Sequence, residues 1–372
     1  MKILFTGGGT GGHIFPIIAV IRELRKAKVD LFYIGPKDEI SQTFLSKEGV
    51  RIKTISAGKL RRYFDLRAFF QNIIDVFKFP IGFLQAFFQI FFLKPDLIFS
   101  KGGYGSLAPS LAGFLLKKPI FLHESDVISG RANRLVAKFS LKIFVSFPET
   151  EGLPADKIIP AGNPIRRELL AGSKERAKEI FNLTREKPII LIFGGSQGAQ
   201  RINNLIFQIL PEILMEFELI HQLGTQNFKK FKNSAELKLS NFPKLKKYYH
   251  PFPFLDEEEL RAAYCVCDLI LSRAGSGSIF EISAMGKPSI LIPLPESAQN
   301  HQFKNAITYA KNGACLVLPE KDLTPLILLE KLKKLMAQPQ ELRKMEKSAK
   351  EFARPEAGKL IAQSILKELK MC

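Results

Sequence analysis

Residues 1–5 form a short apolar run that ends in Thr6-Gly7-Gly8-Gly9-Thr10-Gly11-Gly12-His13, and residues 14–26 then carry apolar side chains at helical spacing. The pattern predicts strand, glycine turn, helix. Residues 29–34, 96–100 and 119–122 read as further strands, the second entering Gly102-Gly103-Tyr104-Gly105 and the third ending at His123. Strands alternating with helical patterns predict an α/β domain with a parallel, doubly wound sheet. The same grammar restarts at residues 188–193, which are apolar and run into Gly194-Gly195-Ser196-Gln197-Gly198-Ala199 and a helical stretch from about residue 201 to 217. Residues 219–223, 248–251, 268–272, 289–292 and 314–317 predict the remaining strands, and the chain from about 323 is helical and basic. Two such openings imply two Rossmann-like domains. The turn-rich segment 161–166 sets their boundary: residues 1–163 form an N-terminal domain and 164–354 a C-terminal one, with a last helix at 355–372 able to pack back onto the first.

One stretch departs from this alternation. Residues 66–93 concentrate Phe69, Phe70, Ile73, Ile74, Phe77, Phe83, Leu84, Phe87, Phe88, Phe91 and Phe92. Asn72, Asp75, Lys78 and Pro80 interrupt the run, and its cleaner part from Phe79 is shorter than the ~20 apolar residues a membrane span requires. Two readings stay open. The helix faces the core, as apolar stripes usually do, or it also lies at a lipid surface, with Lys59, Arg61, Arg62, Arg67 and Lys78 around it.

Composition narrows the class. With 372 residues the chain exceeds one ordinary core, and 46% hydrophobic against 24% charged residues suits a folded protein. The net charge of +19 favours an anionic partner. No nucleic-acid module is legible, so nucleic acid is not expected. Four cysteines at 265, 267, 315 and 372 lack Cys-x-x-Cys spacing, and no signal segment precedes the first strand, which points to a reduced, cytoplasmic setting. No histidine pair suggests a metal site.

The glycine turns carry the candidate chemistry. Residues 7–12 satisfy Gly-x-Gly-x-x-Gly, a turn whose N–H groups approach a phosphate at a helix N-terminus. A dinucleotide site would also want an acidic residue after the second strand, but Gly35-Pro36-Lys37 stands there, which disfavours NAD. His13 lies at the positive end of a helix, where a neutral imidazole is favoured, so it reads as a general base or as a structural histidine. Ser196 and Gln197 sit inside the second turn as diphosphate contacts. Arg166 reads as a neutralising cation or a domain-interface ion. A third turn, residues 272–278, offers the N–H groups of Ser276, Gly277 and Ser278, and Glu281 beyond it reads as a ribose acceptor or an ordinary helix carboxylate. Jointly they predict a phosphate-bearing ligand between two domains, and without an Asp-x-Asp motif the expectation is that no metal or other cofactor assists.

Together, residues 7–13, His123-Glu124, residues 162–166, residues 194–199 and residues 273–281 resemble the MurG family of peptidoglycan N-acetylglucosaminyltransferases, in order and spacing, over essentially the whole chain. The resemblance implies a GT-B fold whose two domains face a cleft. It implies inverting transfer of N-acetylglucosamine from UDP-N-acetylglucosamine to the 4-hydroxyl of the muramoyl sugar of lipid I, giving lipid II. It also implies a peripheral place at the cytoplasmic face of the membrane, through the basic and Phe-rich 59–93 region. By position, Thr10, Gly11 and Gly12 would line the sugar-nucleotide cleft with His13 as base, and Arg166 and Ser196 would contact the diphosphate. Leu255 would lie where the backbone holds uracil, Ser276, Gly277, Ser278, Ile279, Phe280 and Glu281 would form the binding turn, and Gln302 would touch the donor.

Two positions depart from the family pattern. Ser125-Asp126 stands where the family commonly has Gln-Asn, so a carboxylate replaces the amide expected at the N-acetylglucosamine, and an ionised carboxylate accepts but cannot donate. His301 replaces the first of a Gln-Gln pair. A related transferase with another lipid acceptor, a UDP-N-acetylglucosamine 2-epimerase and a non-catalytic nucleotide-binding scaffold at the membrane are the alternatives.

Overall fold

The computed structural model describes residues 1–58, 66–195 and 198–371, without the side chains of 66–74, 76, 77 and 371. The chain divides into two compact units, Met1–Arg166 with Arg354–Cys372, and Arg167–Ala353. The first contains β1 (Lys2–Thr6), α1 (Gly11–Leu24), β2 (Asp30–Pro36), α2 (Glu39–Lys47), β3 (Arg51–Ile55), α3 (Leu66–Leu93), β4 (Leu97–Ser100), α4 (Leu107–Leu115), β5 (Ile120–Glu124), α5 (Arg131–Phe139), β6 (Lys142–Val145) and β7 (Ile158–Pro160). The second contains α6 (Lys174–Phe181), β8 (Ile189–Phe193), α7 (Gln200–Gln208), α8 (Leu210–Glu216), β9 (Glu218–Gln222), α9 (Thr225–Lys238), β10 (Tyr249–Phe252), α10 (Glu257–Val266), β11 (Leu269–Ser272), α11 (Ser276–Ala284), β12 (Ser289–Leu291), α12 (His301–Lys311), β13 (Cys315–Val317), α13 (Pro325–Met336) and α14 (Pro339–Phe352). A final helix, α15 (Ala357–Met371), belongs to the first unit.

Every strand pairing is parallel, in the orders β3-β2-β1-β4-β5-β6-β7 and β10-β9-β8-β11-β12-β13. Inner strands such as Ile3-Leu4-Phe5 and residues 189–193 are buried on both faces, which is why they read as unbroken apolar runs. Edge strands pair on one side only and need no such run: β3 exposes Arg51, Lys53 and Thr54, and β7 has three residues. The apolar pattern therefore marked neither; it also missed the inner β6, which is only four residues long. The helical stretch expected over about 201–217 is made of two helices, because Pro211 in the first turn of α8 has no N–H to continue α7.

One face of the first sheet is covered by α1 and α15, where Ile361, Ala362, Ile365 and Leu369 pack into the same core as Ile14, Ile17 and Ile21. The other is covered by α3, α4 and α5. On α3 the side chains of Ala86, Ile90 and Leu93 point into this core, whereas Ile81, Leu84, Phe88, Phe91 and Phe92 are each at least half exposed.

Candidate functional site

In each unit the strand order reverses between the first two inner strands, β1 and β4 in one and β8 and β11 in the other. Loops leaving such neighbours in opposite directions open a crevice at their carboxyl ends. All four segments that follow these strands are candidate site segments: residues 7–10 and 101–106, and residues 194–199 and 273–275.

In the first unit the turn after β1 is held from below by Tyr33, whose hydroxyl donates to the Gly7 carbonyl at 2.8 Å. Burial raises the Tyr33 pKa, so it remains a donor. Gly9 has φ +92°, and a Cβ there would stand 2.6 Å from the Tyr104 ring, so the two loops interleave only with glycine at this point. Thr10 caps α1 with extended backbone, and Gly11, Gly12 and His13 form its first turn. The Thr10 hydroxyl lies 3.0 Å from His13 Nδ1. On the ring's other side Gly103, at φ +83°, leaves a space in which a Cβ would stand 2.8 Å from Nε2. Arg166 is buried, its guanidinium 4.2 Å from the centre of the Phe15 ring on the same helix. Thr10, Gly11, Gly12 and His13 thus open α1, and Arg166 packs on Phe15 in its N-terminal half.

Asp126, half-buried, lies beyond β5. Glu124 before it accepts from the N–H groups of Ser125 (2.7 Å), Asp126 (3.1 Å) and Gly130 (3.1 Å) and from Asn133 Nδ2 (2.8 Å). His123 is fully buried, with Nε2 3.1 Å from the Gly162 carbonyl, and burial holds its pKa well below the usual value. His123 and Glu124 therefore tie the residues 124–126 turn and the residues 161–166 segment to the sheet.

In the second unit the turn after β8 is closed by Gly198 N–H donating to the Gly195 carbonyl at 3.0 Å. Ser196 and Gln197, expected at the diphosphate, lie outside the described residues. Ser276 begins α11, its hydroxyl buried and without a hydrogen-bond partner among the described residues. A buried hydroxyl at a helix N-terminus is where an anionic oxygen would be bound. Gly277 and Ser278 are partly exposed, whereas the Ile279 and Phe280 side chains are buried, so these two serve a ligand only through the main chain. Glu281 is 9% exposed, and its Oε2 accepts from the Tyr264 hydroxyl at 3.2 Å, which fixes the carboxylate. Gln302 accepts the Leu294 N–H through its side-chain carbonyl at 3.0 Å, leaving its NH2 as the donor it offers. Arg273, in the same turn, is structural: it donates to the Ile292 carbonyl at 3.1 Å and pairs with Glu320.

Two buried polar residues escaped the sequence reading. Gln222, at the end of β9 and fully buried, donates to the Gly195 carbonyl at 2.7 Å and accepts the Leu255 N–H at 2.9 Å. One amide thereby joins the glycine turn to the Leu255 segment and engages Leu255's own N–H. Lys101, first residue after β4, is 1% exposed and donates to Ser125 Oγ. No local spacing announces either one, since their partners come from other strands.

The first unit also presents an apolar surface. Besides the outer side of α3, Phe114 and Leu115 on α4 and Leu135 on α5 are exposed, and α4 packs against both other helices. Lys94, Lys117, Arg131, Arg134 and Lys138 are exposed on or beside these elements. Lys59, Arg61 and Arg62 lie outside the described residues, as does the Arg67 side chain. Among the described residues, no helix is long and apolar enough to cross a membrane, and no three His, Cys, Asp or Glu side chains gather to hold a metal ion.

Family models match both halves: residues 3–145 fit the glycosyltransferase family 28 N-terminal domain and residues 189–361 its C-terminal domain. The chain is 39% identical over 366 residues to "UDP-N-acetylglucosamine--N-acetylmuramyl-(pentapeptide) pyrophosphoryl-undecaprenol N-acetylglucosamine transferase 2" of Bacillus cereus, covering 98% of this chain and 99% of that one. It is 40% identical over 333 residues to the transferase of the same name, without the numeral, from Clostridium tetani, covering 89% and 88%. Among solved structures it resembles Acinetobacter baumannii MurG, with TM-score 0.73, 25% identity and coverage of 98% and 99%. A UDP-GlcNAc 2-epimerase from Neisseria meningitidis shares the fold at TM-score 0.68 and 18% identity, covering 99% and 100%.

Proposed function

The chain belongs to the family of UDP-N-acetylglucosamine–N-acetylmuramyl-(pentapeptide) pyrophosphoryl-undecaprenol N-acetylglucosamine transferases, and from that membership we propose that it carries N-acetylglucosamine from UDP-N-acetylglucosamine to the 4-hydroxyl of the muramoyl sugar of lipid I, yielding lipid II and UDP. The observation that carries this reading is a kinship running through both units of a GT-B chain.

The reaction is a single displacement with inversion. His13 takes the proton of the acceptor hydroxyl, the oxygen attacks the anomeric carbon, and the electron pair of the breaking C–O bond goes to the diphosphate of UDP. In the tautomer whose Nδ1–H donates to the Thr10 hydroxyl, the lone pair lies on Nε2, on the side that Gly103 faces, and can take that proton. The leaving charge is met by the α11 N-terminus with Ser276, Gly277 and Ser278, and by Ser196, Gln197 and Arg166. Glu281, oriented by Tyr264, accepts from the ribose hydroxyls; the Leu255 segment holds the base; Gln302 and Asp126 contact the sugar.

The acceptor's undecaprenyl tail stays in a bilayer, and the exposed Phe and Leu side chains of α3, α4 and α5 with their lysines and arginines dock the first unit on an anionic leaflet at the cytoplasmic face. UDP release with a lipid I analogue tests the whole reading. It should require both the analogue and UDP-N-acetylglucosamine, and fail with UDP-N-acetylgalactosamine. Equal release without the analogue would sink it.

A further inference from the structure

Beyond the carboxyl ends of β8, β11, β12 and β13 in the second unit, four charges of alternating sign are joined in a row: Glu296, Arg201, Glu320 and Arg273. Arg201 is the second residue of α7, just past the glycine turn that follows β8. Its guanidinium grips Glu296 with two prongs, Nη2 to Oε1 at 2.6 Å and Nη1 to Oε2 at 3.1 Å, and Nη1 also donates to Glu320 Oε1 at 2.7 Å. Glu320, after β13, in turn holds Arg273. Arg201 and Glu296 are each about half exposed, where a lone ion pair adds little, but a two-pronged pair inside a network of four keeps one geometry. Hydrogen bonding to Arg201 holds the Glu296 carboxyl below its usual range.

Glu296 stands in the stretch that leads from β12 to Gln302 on α12. Pro293 and Pro295 have no N–H, so Leu294 supplies the one main-chain donor of residues 293–295, and it goes to Gln302 Oε1 at 3.0 Å. The Gln302 N–H donates to Ser297 Oγ at 3.3 Å. The loop is therefore stitched to Gln302 on both sides of Glu296. Gln299 and Asn300 have left-handed backbone, with φ +55° and +56°, a conformation that is costly for residues with side chains and persists where the surroundings impose it. Arg201 anchors this contorted loop to another element, the start of α7.

We propose that Arg201 and Glu296 are positioning residues for donor specificity: their pair fixes the 293–302 loop, and with it the direction in which the Gln302 amide presents its NH2 to the hexosamine of the sugar nucleotide. This role rests on the transferase reading, in which Gln302 contacts the sugar. The groups that meet UDP in that reading, the α11 N-terminus and Glu281, lie outside this loop, so the pair acts on recognition of the sugar and not of UDP. Loss of either partner leaves no buried charge behind. Without Glu296, Arg201 still pairs with Glu320, and without Arg201, Glu320 still pairs with Arg273 while Glu296 is open to solvent.

The test is calorimetric binding of UDP, UDP-N-acetylglucosamine and UDP-N-acetylgalactosamine to wild type, Arg201→Met, Glu296→Gln and the double variant. In each single variant the preference for the N-acetylglucosamine donor over its 4-epimer is expected to fall about fivefold or more, and the double to lose no more than the larger single loss, because both substitutions break one interaction. UDP affinity should stay within about twofold of wild type and the melting temperature within about 2 °C. A preference kept in both singles overturns the proposal, as do losses that add in the double. A fall in UDP affinity equal to that for the sugar nucleotide marks the pair as structural and overturns it too. If Arg201→Met does not fold, Glu296→Gln decides on preference and UDP affinity. A wild type that binds no uridine nucleotide sinks the transferase reading and this role with it, whereas a wild type that binds and discriminates, with variants that do so equally well, sinks the positioning role alone.

Discussion

At Gly103 the missing side chain leaves the space beside His13 Nε2, so Gly103→Ala is expected to displace the imidazole and lower kcat by about 10²-fold with little change in donor KM. Single-turnover transfer by a variant with wild-type circular dichroism would check this. His13→Asn should lose about 10²- to 10⁴-fold in the same assay, and near-normal turnover would remove it as the base. For Glu281→Gln the measurement is calorimetric: UDP affinity should fall about tenfold, and Tyr264→Phe, which takes away one donor to the carboxylate without removing it, should cost less. His13 and the glycine turns were legible because turn and helix start are contiguous in the chain. Lys101 and Gln222 were not, because what makes them special is supplied by Ser125, Gly195 and Leu255, which only the strand order brings close.

Among the elements, α3 shows how a helical stripe can be read correctly and still leave its surroundings undecided. The spacing of Ala86, Ile90 and Leu93 marks one buried side, but Leu84, Phe88 and Phe92 are as apolar, and only the packing of α4 shows which side stays exposed among the described residues. Phe88→Asp with Phe92→Asp is expected to reduce co-sedimentation with vesicles containing anionic lipid while leaving the circular dichroism spectrum unchanged. Retained sedimentation would remove this face from the docking surface. The longer inner strands were legible since burial on both faces demands continuous apolar sequence, whereas β3 and β7 at the edges are free of that demand and the inner β6, four residues long, was too short to stand out. The break between α7 and α8 was written in Pro211 and passed over because the apolar spacing continues across it.

For the molecule as a whole, a net charge of +19 predicts that vesicle binding weakens as salt rises through the range where the Debye length falls below ~10 Å. Acid should act on stability through His221, fully buried between Asn203 and Tyr249, whose pKa burial lowers from 6.5 to about 3. Between these values the unfolded chain binds the proton and the folded one does not, so this contribution is full above pH 6.5 and is lost as pH falls toward 3. The urea midpoint should drop from pH 7 to pH 5, and His221→Gln should flatten that slope.

The path of the chain carries one more consequence. The second unit is a single contiguous segment, but the apolar surface of α1 is closed by α15, which is made some 340 residues later. On the ribosome the later unit can therefore finish folding first, while the earlier one waits with Ile14, Ile17 and Ile21 uncovered. Ending translation before residue 357 should leave a nascent product that chaperones hold and proteases cut within its first 166 residues, with residues 167–353 resistant.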